Sequence, residues 1–294
     1  MRIGILLLQD APWAVLRERA VRADELGFDT IWVGDHLVEP YHPEADWLEA
    51  WTLLGALAAV TRHASLGALA SSLTLRNPAL LVQATQTLRD ISGGRAELAL
   101  GAGGAPLDHQ MTGTPNWTPA ERADRFAEFV PLVAGLLRDG QVPDSPAPAG
   151  GRHYAIDNAR LRNAGGVRLT VAGLGPRAIG LAARYGDAWN SYGVPTGKRL
   201  TGRLLHSQAV ELFRQRVERF RGACLEWGRD PATIGGSYLW IDSFLEPQLP
   251  EPPACAQVAR EFRDAGATEF IVYWPRDSAQ VASLGELQRL IAEL

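Results

Sequence analysis

Four stretches of this chain combine residue types that can do chemistry. Asp35-His36 follows directly on the apolar run Thr30–Gly34. A carboxylate beside an imidazole can hold, give or take a proton near neutral pH. The same pair can also be a turn-capping aspartate beside a packed histidine. Ser71-Ser72 ends the run that begins at Ser65, and its hydroxyls can either donate to a ligand ring or open the turn Leu73–Asn77. Gly101, Gly103 and Gly104 follow the apolar run Ala96–Leu100. Glycines there let a planar ligand approach the backbone, or simply pack a rim.

The fourth stretch reads Leu169-Thr-Val-Ala172, then Gly173-Leu174-Gly175-Pro176-Arg177. An apolar strand-like run leads through two residues without Cβ to a proline suited to the first helical position. Free N–H groups and the helix dipole favour an anion at such a start, and a guanidinium can bind one in bidentate fashion. This is a phosphate cradle or an ordinary strand-to-helix turn. Arg177 in a first helical turn opposes the dipole, which suggests another reason for its presence.

The elements that must position these residues alternate. Strands are expected at Arg2–Leu8, Thr30–Gly34, Ser65–Ser71, Ala96–Leu100, Leu169–Ala172, Ala188–Ser191, Ile234–Ile241 and Glu269–Trp274, from short apolar runs with polar stops. Helices are expected at Pro12–Leu26, Trp47–Thr61, Ala79–Ile91, Pro119–Asp139, Pro176–Tyr185, Ser207–Trp227, Ala254–Ala265 and Ser278–Leu294. Ala105–Thr118 and the proline-rich Gly140–Gly151 read as loops, and His153–Leu161 as a small hairpin. Eight strand–helix units in this length predict an α/β (β/α)8 barrel, a single domain over 1–294, with an enlarged connection between strands 4 and 5. An open doubly wound sheet is disfavoured, because the first strand-turn lacks G-x-G-x-x-G. In a barrel the C-terminal strand ends share one mouth. Here these are Gln9-Asp10, Asp35-His36, Ser71-Ser72, Gly101–Gly104, Gly173–Arg177, Asn190-Ser191, Asp242 and Trp274.

Composition narrows the function. With 46% hydrophobic and 21% charged residues among 294, the chain reads as an ordinary globular protein. A net charge of −4 offers no footprint for nucleic acid. The first apolar run stops at Gln9-Asp10, too short for a secretory signal or membrane span, so a cytoplasmic protein is expected. Cys224 and Cys255 stand far apart and suggest neither disulfide nor zinc. A metal site at Asp35, His36 and His42 is disfavoured, since Leu6–Asp10 contains no histidine.

Several ordered motifs also carry a resemblance. Gly27-Phe28-Asp29-Thr30-Ile31-Trp32-Val33-Gly34-Asp35-His36, Ala64-Ser65-Leu66-Gly67, Arg76-Asn77-Pro78-Ala79, Ser92-Gly93-Gly94-Arg95, Leu100-Gly101-Ala102-Gly103 and Gly173-Leu174-Gly175-Pro176-Arg177 resemble the luciferase-like monooxygenase family. They most resemble its branch using the deazaflavin coenzyme F420. The resemblance covers nearly the whole chain and is weakest across 105–168 and 194–229. It implies a homodimeric oxidoreductase that moves a hydride between reduced deazaflavin and a small organic substrate, with an FMN-dependent monooxygenase as the alternative. It places the cofactor phosphate on Gly173, Leu174, Gly175, Pro176 and Arg177, and Asp35-His36 beside the ring. Ser71, Ser72, Gly101, Gly103 and Gly104 complete the cofactor site. It further implies a non-prolyl cis peptide at Ala70–Ser71 or Ser71–Ser72. Sugar-phosphate dehydrogenases of this family carry a glutamate proton donor after the fourth-strand glycines. This chain has Gly104-Ala105-Pro106 there, which leaves His36 as the proton-transfer residue. Tyr41, Trp47, Trp189 and Trp274 are expected to wall the substrate pocket.

Overall fold

Each strand of the barrel is short because each spans one buried layer. The computed structural model describes residues 1–40, 42–143, 153–156, 160–161, 164–193, 206–240, 250–275 and 278–294. Among the described residues nine parallel strands run β1 (Arg2–Leu7), β2 (Thr30–Val33), β3 (Ser65–Ala68), β4 (Ser71–Ser72), β5 (Glu97–Gly101), β6 (Arg168–Ala172), β7 (Ala188–Tyr192), β8 (Gly235–Leu239) and β9 (Glu269–Tyr273). Their order is β3-β2-β1-β9-β8-β7-β6-β5-β4. A parallel bridge joins Leu66 of β3 to Ala96, just before β5, and closes the sheet. The architecture is a (β/α)8-type barrel, in which β3 and β4 are the two halves of the third barrel strand.

The break in that strand revises the sequence reading. The non-prolyl cis peptide is present, but it joins Leu69 to Ala70, one residue before the two positions expected. Ser65–Ser71 is therefore two short strands rather than one. Ser71 and Ser72 pair with Leu100 and Gly101 of β5, while Ser65–Ala68 pair with Thr30–Val33 of β2.

The helices are α1 (Trp13–Leu26), α2 (Ala50–Val60), α3 (Pro78–Ile91), α4 (Pro106–Thr112), α5 (Pro119–Asp139), α6 (Pro176–Tyr185), α7 (His206–Glu226), α8 (Pro252–Asp264) and α9 (Ser278–Ala292). Local chemistry sets their starts. Asn77 accepts from the Ala79 and Leu80 N–H groups ahead of α3, and Thr118 and Glu121 form a reciprocal capping box on α5. Glu49 accepts from Trp51 and Thr52, so α2 starts at Ala50 and not at Trp47. The expected loop 105–118 contains α4, and an isolated antiparallel bridge between Gln141 and Arg160 stands where a hairpin over 153–161 was expected.

Side chains alternate between two cores. Outside the barrel, strand residues such as Ile5, Val33, Leu98 and Val171 pack under the helices in the main hydrophobic cluster. Inside, Leu6, Trp32, Ala99, Leu239 and Ile271 from five strands, with Leu69 between β3 and β4, form a second cluster. Below them, at the N-terminal end, Thr30 donates to the fully buried Glu269 at 2.5 Å, and Arg2 bonds Glu97 at 2.5 Å. Burial pushes the Glu269 carboxyl above its usual range, and Glu97 pushes it further, against the pull of Arg2. This polar layer closes the bottom, so the open end is the C-terminal mouth. Among the described residues no helix is long and apolar enough to cross a membrane.

Candidate active site

The mouth is organised by Asp35 and Asp108. Asp35 ends β2 and is fully buried. Its Oδ2 accepts the Ser72 backbone N–H at 3.0 Å and Arg76 Nε at 3.0 Å, and its Oδ1 accepts Arg76 Nη2. Arg76 Nη2 also reaches Glu49 Oε1 at 2.5 Å. Burial alone would raise the Glu49 pKa, yet the Arg76 hydrogen bond and the α2 N–H groups bring it down to about 2. Asp35 thus ties β2 to β4 and to the turn before α3. Its contacts are those of a positioning residue.

His36 faces the cleft with about a third of its side chain exposed. Its Nδ1 lies 2.8 Å from Asp108 Oδ2, and Asp108 Oδ1 accepts the Leu37 N–H at 2.9 Å. Trp47 Nε1 donates to the His36 carbonyl at 2.9 Å. An ionised carboxylate only accepts, so this partner assigns the proton to Nδ1. Nε2 is left as the nitrogen that can exchange a proton with a ligand. Asp108 lies on α4, which the sequence reading passed over as loop. Pro106 at the first helical position and Gly113 in the left-handed conformation, φ 68°, were the available signals.

Gln9, buried at the end of β1, exchanges two hydrogen bonds with the Gly34 backbone and donates to the Leu48 carbonyl. It holds β1, β2 and the approach to α2 together. The Asp35, His36 and His42 trio does not assemble: Asp35 is held by Arg76, His36 by Asp108, and His42 Nδ1 lies 3.8 Å from Glu44 on the surface.

The β4 and β5 ends bring Ser71, Ser72, Gly101 and Gly103 together. The Ser71 hydroxyl is fully buried without a hydrogen-bond partner. Gly103, at φ +65°, leaves no room for a Cβ, which would sit 2.3 Å from Thr74 Oγ1 and 2.7 Å from Ser72 Oγ. Gly104 is exposed at the rim near Arg122. Beside them, β6 pairs with β5, placing Val171 opposite Leu100.

The Gly173–Arg177 turn follows β6. A Cβ on Gly173 would sit 2.4 Å from the Ala178 Cβ, so the close turn requires glycine. The N-terminus of α6 has no side-chain cap, and Gly175, Pro176 and Arg177 are exposed while Leu174 is half-buried. Arg177 Nη2 pairs with Asp124 Oδ1 at 2.6 Å on the surface. An uncapped helix start, a glycine turn and an unpartnered buried hydroxyl together fit a group with a phosphate and a planar ring.

Two expected pocket walls lie elsewhere. Trp189 is buried on the outer face of β7, bonded to the Gly173 carbonyl at 2.8 Å and stacked on Phe213 and Phe220 of α7. Trp274 is buried in the same outer core. Tyr41 and Asp242, with Lys198 and Arg199, lie outside the described residues. The sequence reading also missed Arg216 on α7, which is buried and donates to Ser191 Oγ at 3.2 Å and the Gly193 carbonyl at 3.3 Å. Its place three residues after Phe213 and four before Phe220 puts it on the core-facing stripe, which was the signal available.

Comparison with known proteins identifies the family and the fold. Residues 1–234 match the luciferase-like monooxygenase family model. The chain is 32% identical over 179 residues to an F420-dependent glucose-6-phosphate dehydrogenase of Amycolatopsis mediterranei, covering 59% of this chain and 52% of that protein. It is 28% identical over 242 residues to a phthiodiolone/phenolphthiodiolone dimycocerosates ketoreductase of Mycobacterium tuberculosis, covering 76% and 59%. The chain thus spans about half the length of the relatives it matches. An F420-dependent secondary alcohol dehydrogenase, solved with an F420-acetone adduct, superposes with a TM-score of 0.80 at 21% identity over 99% of this chain and 98% of that one. The family match stops at residue 234, yet β8 and β9 beyond it complete the barrel, since β9 pairs with β1. By motif, by barrel and by family model, this chain belongs to the luciferase-like monooxygenase family.

Proposed function

We propose that the protein is a coenzyme F420-dependent oxidoreductase that moves a hydride between reduced deazaflavin and a small organic substrate, with His36 exchanging the accompanying proton. The observation that carries this reading is the His36–Asp108 pair at the mouth, with Nδ1 held and Nε2 available. The F420-dependent relative at 32% identity supports the choice of cofactor over FMN.

The bound deazaflavin supplies the hydride chemistry. Gly173, Leu174, Gly175 and Pro176 hold its phosphate, with Arg177 at the edge. Ser71, Ser72, Gly101, Gly103 and Gly104 hold the ring, and Asp35 fixes Ser72 and Arg76 behind it. A carbonyl–alcohol pair suits the site, because reducing a carbonyl requires a hydride at carbon and a proton at oxygen. His36 Nε2 gives that proton, and in the reverse direction takes it. Asp108 keeps the imidazole in the tautomer and orientation the transfer needs. Gly104-Ala105-Pro106, where the resemblance puts the sugar-phosphate dehydrogenases' glutamate, contributes no acid.

The test is anaerobic turnover, followed by the cofactor's absorbance, over a panel of alcohols and ketones. The reading expects absorbance change without oxygen, lost in His36→Ala while cofactor binding persists. No turnover with F420, together with oxygen uptake in the presence of reduced FMN, would replace it with the flavin monooxygenase.

We also read the protein as a cytoplasmic single domain over 1–294, and as a homodimer on the strength of the family resemblance. Light scattering expects about twice the 31.9 kDa chain mass. A mass of one chain would remove the dimer.

A further inference from the structure

Arg216 is a buried cation that meets no carboxylate among the described residues. It is 7% exposed, and its Nη1 donates to the Ser191 hydroxyl and the Gly193 carbonyl. Among the described residues no acid pairs with it, and Arg219 on the same helix has the same sign. Burying a charge is costly unless it is paired, so this arginine has capacity for an anion.

Its position is fixed by β7. Trp189 and Ser191 point to the same outer face of that strand, two residues apart, with Ser191 nearer the mouth. Trp189 bonds the Gly173 carbonyl, and the Gly173 N–H bonds the Asn190 carbonyl. The α6 turn therefore packs against β7 at residues 189–190, and Arg216 bonds the same strand end at 191 and 193. The side chain reaches back along α7 toward its N-terminal, mouth-side end, as helical side chains do. Arg177, the arginine inside the turn, is already paired with Asp124 and more than half exposed.

We propose that Arg216, rather than Arg177, supplies the cationic charge for the phosphate held at the Gly173–Arg177 turn. The inference rests on the reading that this turn holds the cofactor phosphate. The free α6 N–H groups shape the oxyanion site, and the guanidinium neutralises it from the adjacent strand end. Charge-assisted bonds of this kind are stronger than neutral ones.

The test compares equilibrium binding of F420 with that of its deazaflavin fragment ending at the ribityl hydroxyl, which lacks the phosphate. Both are titrated by fluorescence into the wild-type protein, Arg216→Gln, Arg216→Lys and Arg177→Ala. We expect Arg216→Gln to weaken F420 about tenfold or more, to leave the fragment unchanged, and Arg216→Lys to recover part of the loss. Arg177→Ala should cost no more than about threefold. If Arg216→Gln retains the wild-type preference for F420 over the fragment, the inference is overturned. The same holds if the variant weakens both ligands equally, a general loss of structure that lysine does not repair. A wild-type protein that binds the fragment as tightly as F420 would instead remove the phosphate site itself.

Discussion

The His36 ring and the Asp108 carboxylate meet at 2.8 Å across 72 residues of sequence, joining the end of β2 to a helix of seven residues. The same carboxylate holds the Leu37 N–H, so imidazole and backbone are fixed by one group. Replacing Asp108 with Asn should preserve the shape while removing the acceptor charge that fixes the tautomer. We expect kcat to fall about 10–100-fold, the range for losing an orienting partner of a functional histidine, with the F420 dissociation constant nearly unchanged. An equal loss in binding and turnover would mean that Asp108 only holds the loop.

His36→Ala should reduce kcat by about 10²–10⁴-fold, the usual contribution of a positioned acid–base group. Stopped-flow measurement of cofactor reduction checks it. Turnover within a few-fold of wild type would give the proton transfer to another group.

The Asp35–Arg76 pair is structural in its reach. Asp35→Ala would leave the partly buried Arg76 with only Glu49, and would strip the Ser72 N–H of its acceptor. Breaking a buried pair by removing one partner costs about 3–5 kcal/mol. Chemical denaturation should show a loss of that order, accompanied by weaker cofactor binding because Ser72 is no longer fixed.

Gly173→Ala places a Cβ at 2.4 Å from the Ala178 Cβ. Either the turn or the start of α6 must shift, at about 1–3 kcal/mol. We expect F420 affinity to fall by at least tenfold while far-ultraviolet dichroism is unchanged. Gly175→Ala, where a Cβ meets nothing within 4 Å, should be mild.

Acid sensitivity has an identifiable contributor far from the mouth. Burial would raise the Asp24 pKa, but its carboxylate accepts backbone N–H groups from Ala64, Arg62 and His63, and the net shift is downward. A lowered folded-state pKa stabilises the protein fully above the unfolded value of about 3.9, and that stability is lost as pH falls through the folded value. Asp24→Asn should therefore cost about 1–3 kcal/mol at pH 7. The gap from wild type should narrow below about pH 4. Urea titrations at pH 7 and pH 3 check both signs.

The barrel was legible because its signals are local. Pro119–Asp139 and Pro176–Tyr185 lie where the sequence puts them, since Thr118, Glu121 and Pro176 mark starts and Gly140 and Gly186 mark stops. The glycines at 103 and 173 were also legible, because a Cβ at either position would clash with its neighbours. What stayed hidden depends on partners distant in sequence. Nothing near Asp35 announces Arg76 as its counterion, and Trp189 reads equally well as pocket wall or outer core until Phe213 and Phe220 are seen stacked on it. Asp108 was lost because α4 is short and Ala105 offers no capping side chain. The kink between Leu69 and Ala70 split a strand whose apolar pattern is continuous.

We read this mouth as built for a deazaflavin. Equilibrium binding of F420 and of FMN to cofactor-free protein, repeated with Gly173→Ala, tests it most directly. The account predicts clear preference for F420 and a marked loss of that affinity in the variant. Tighter binding of FMN, or binding of neither, would contradict it.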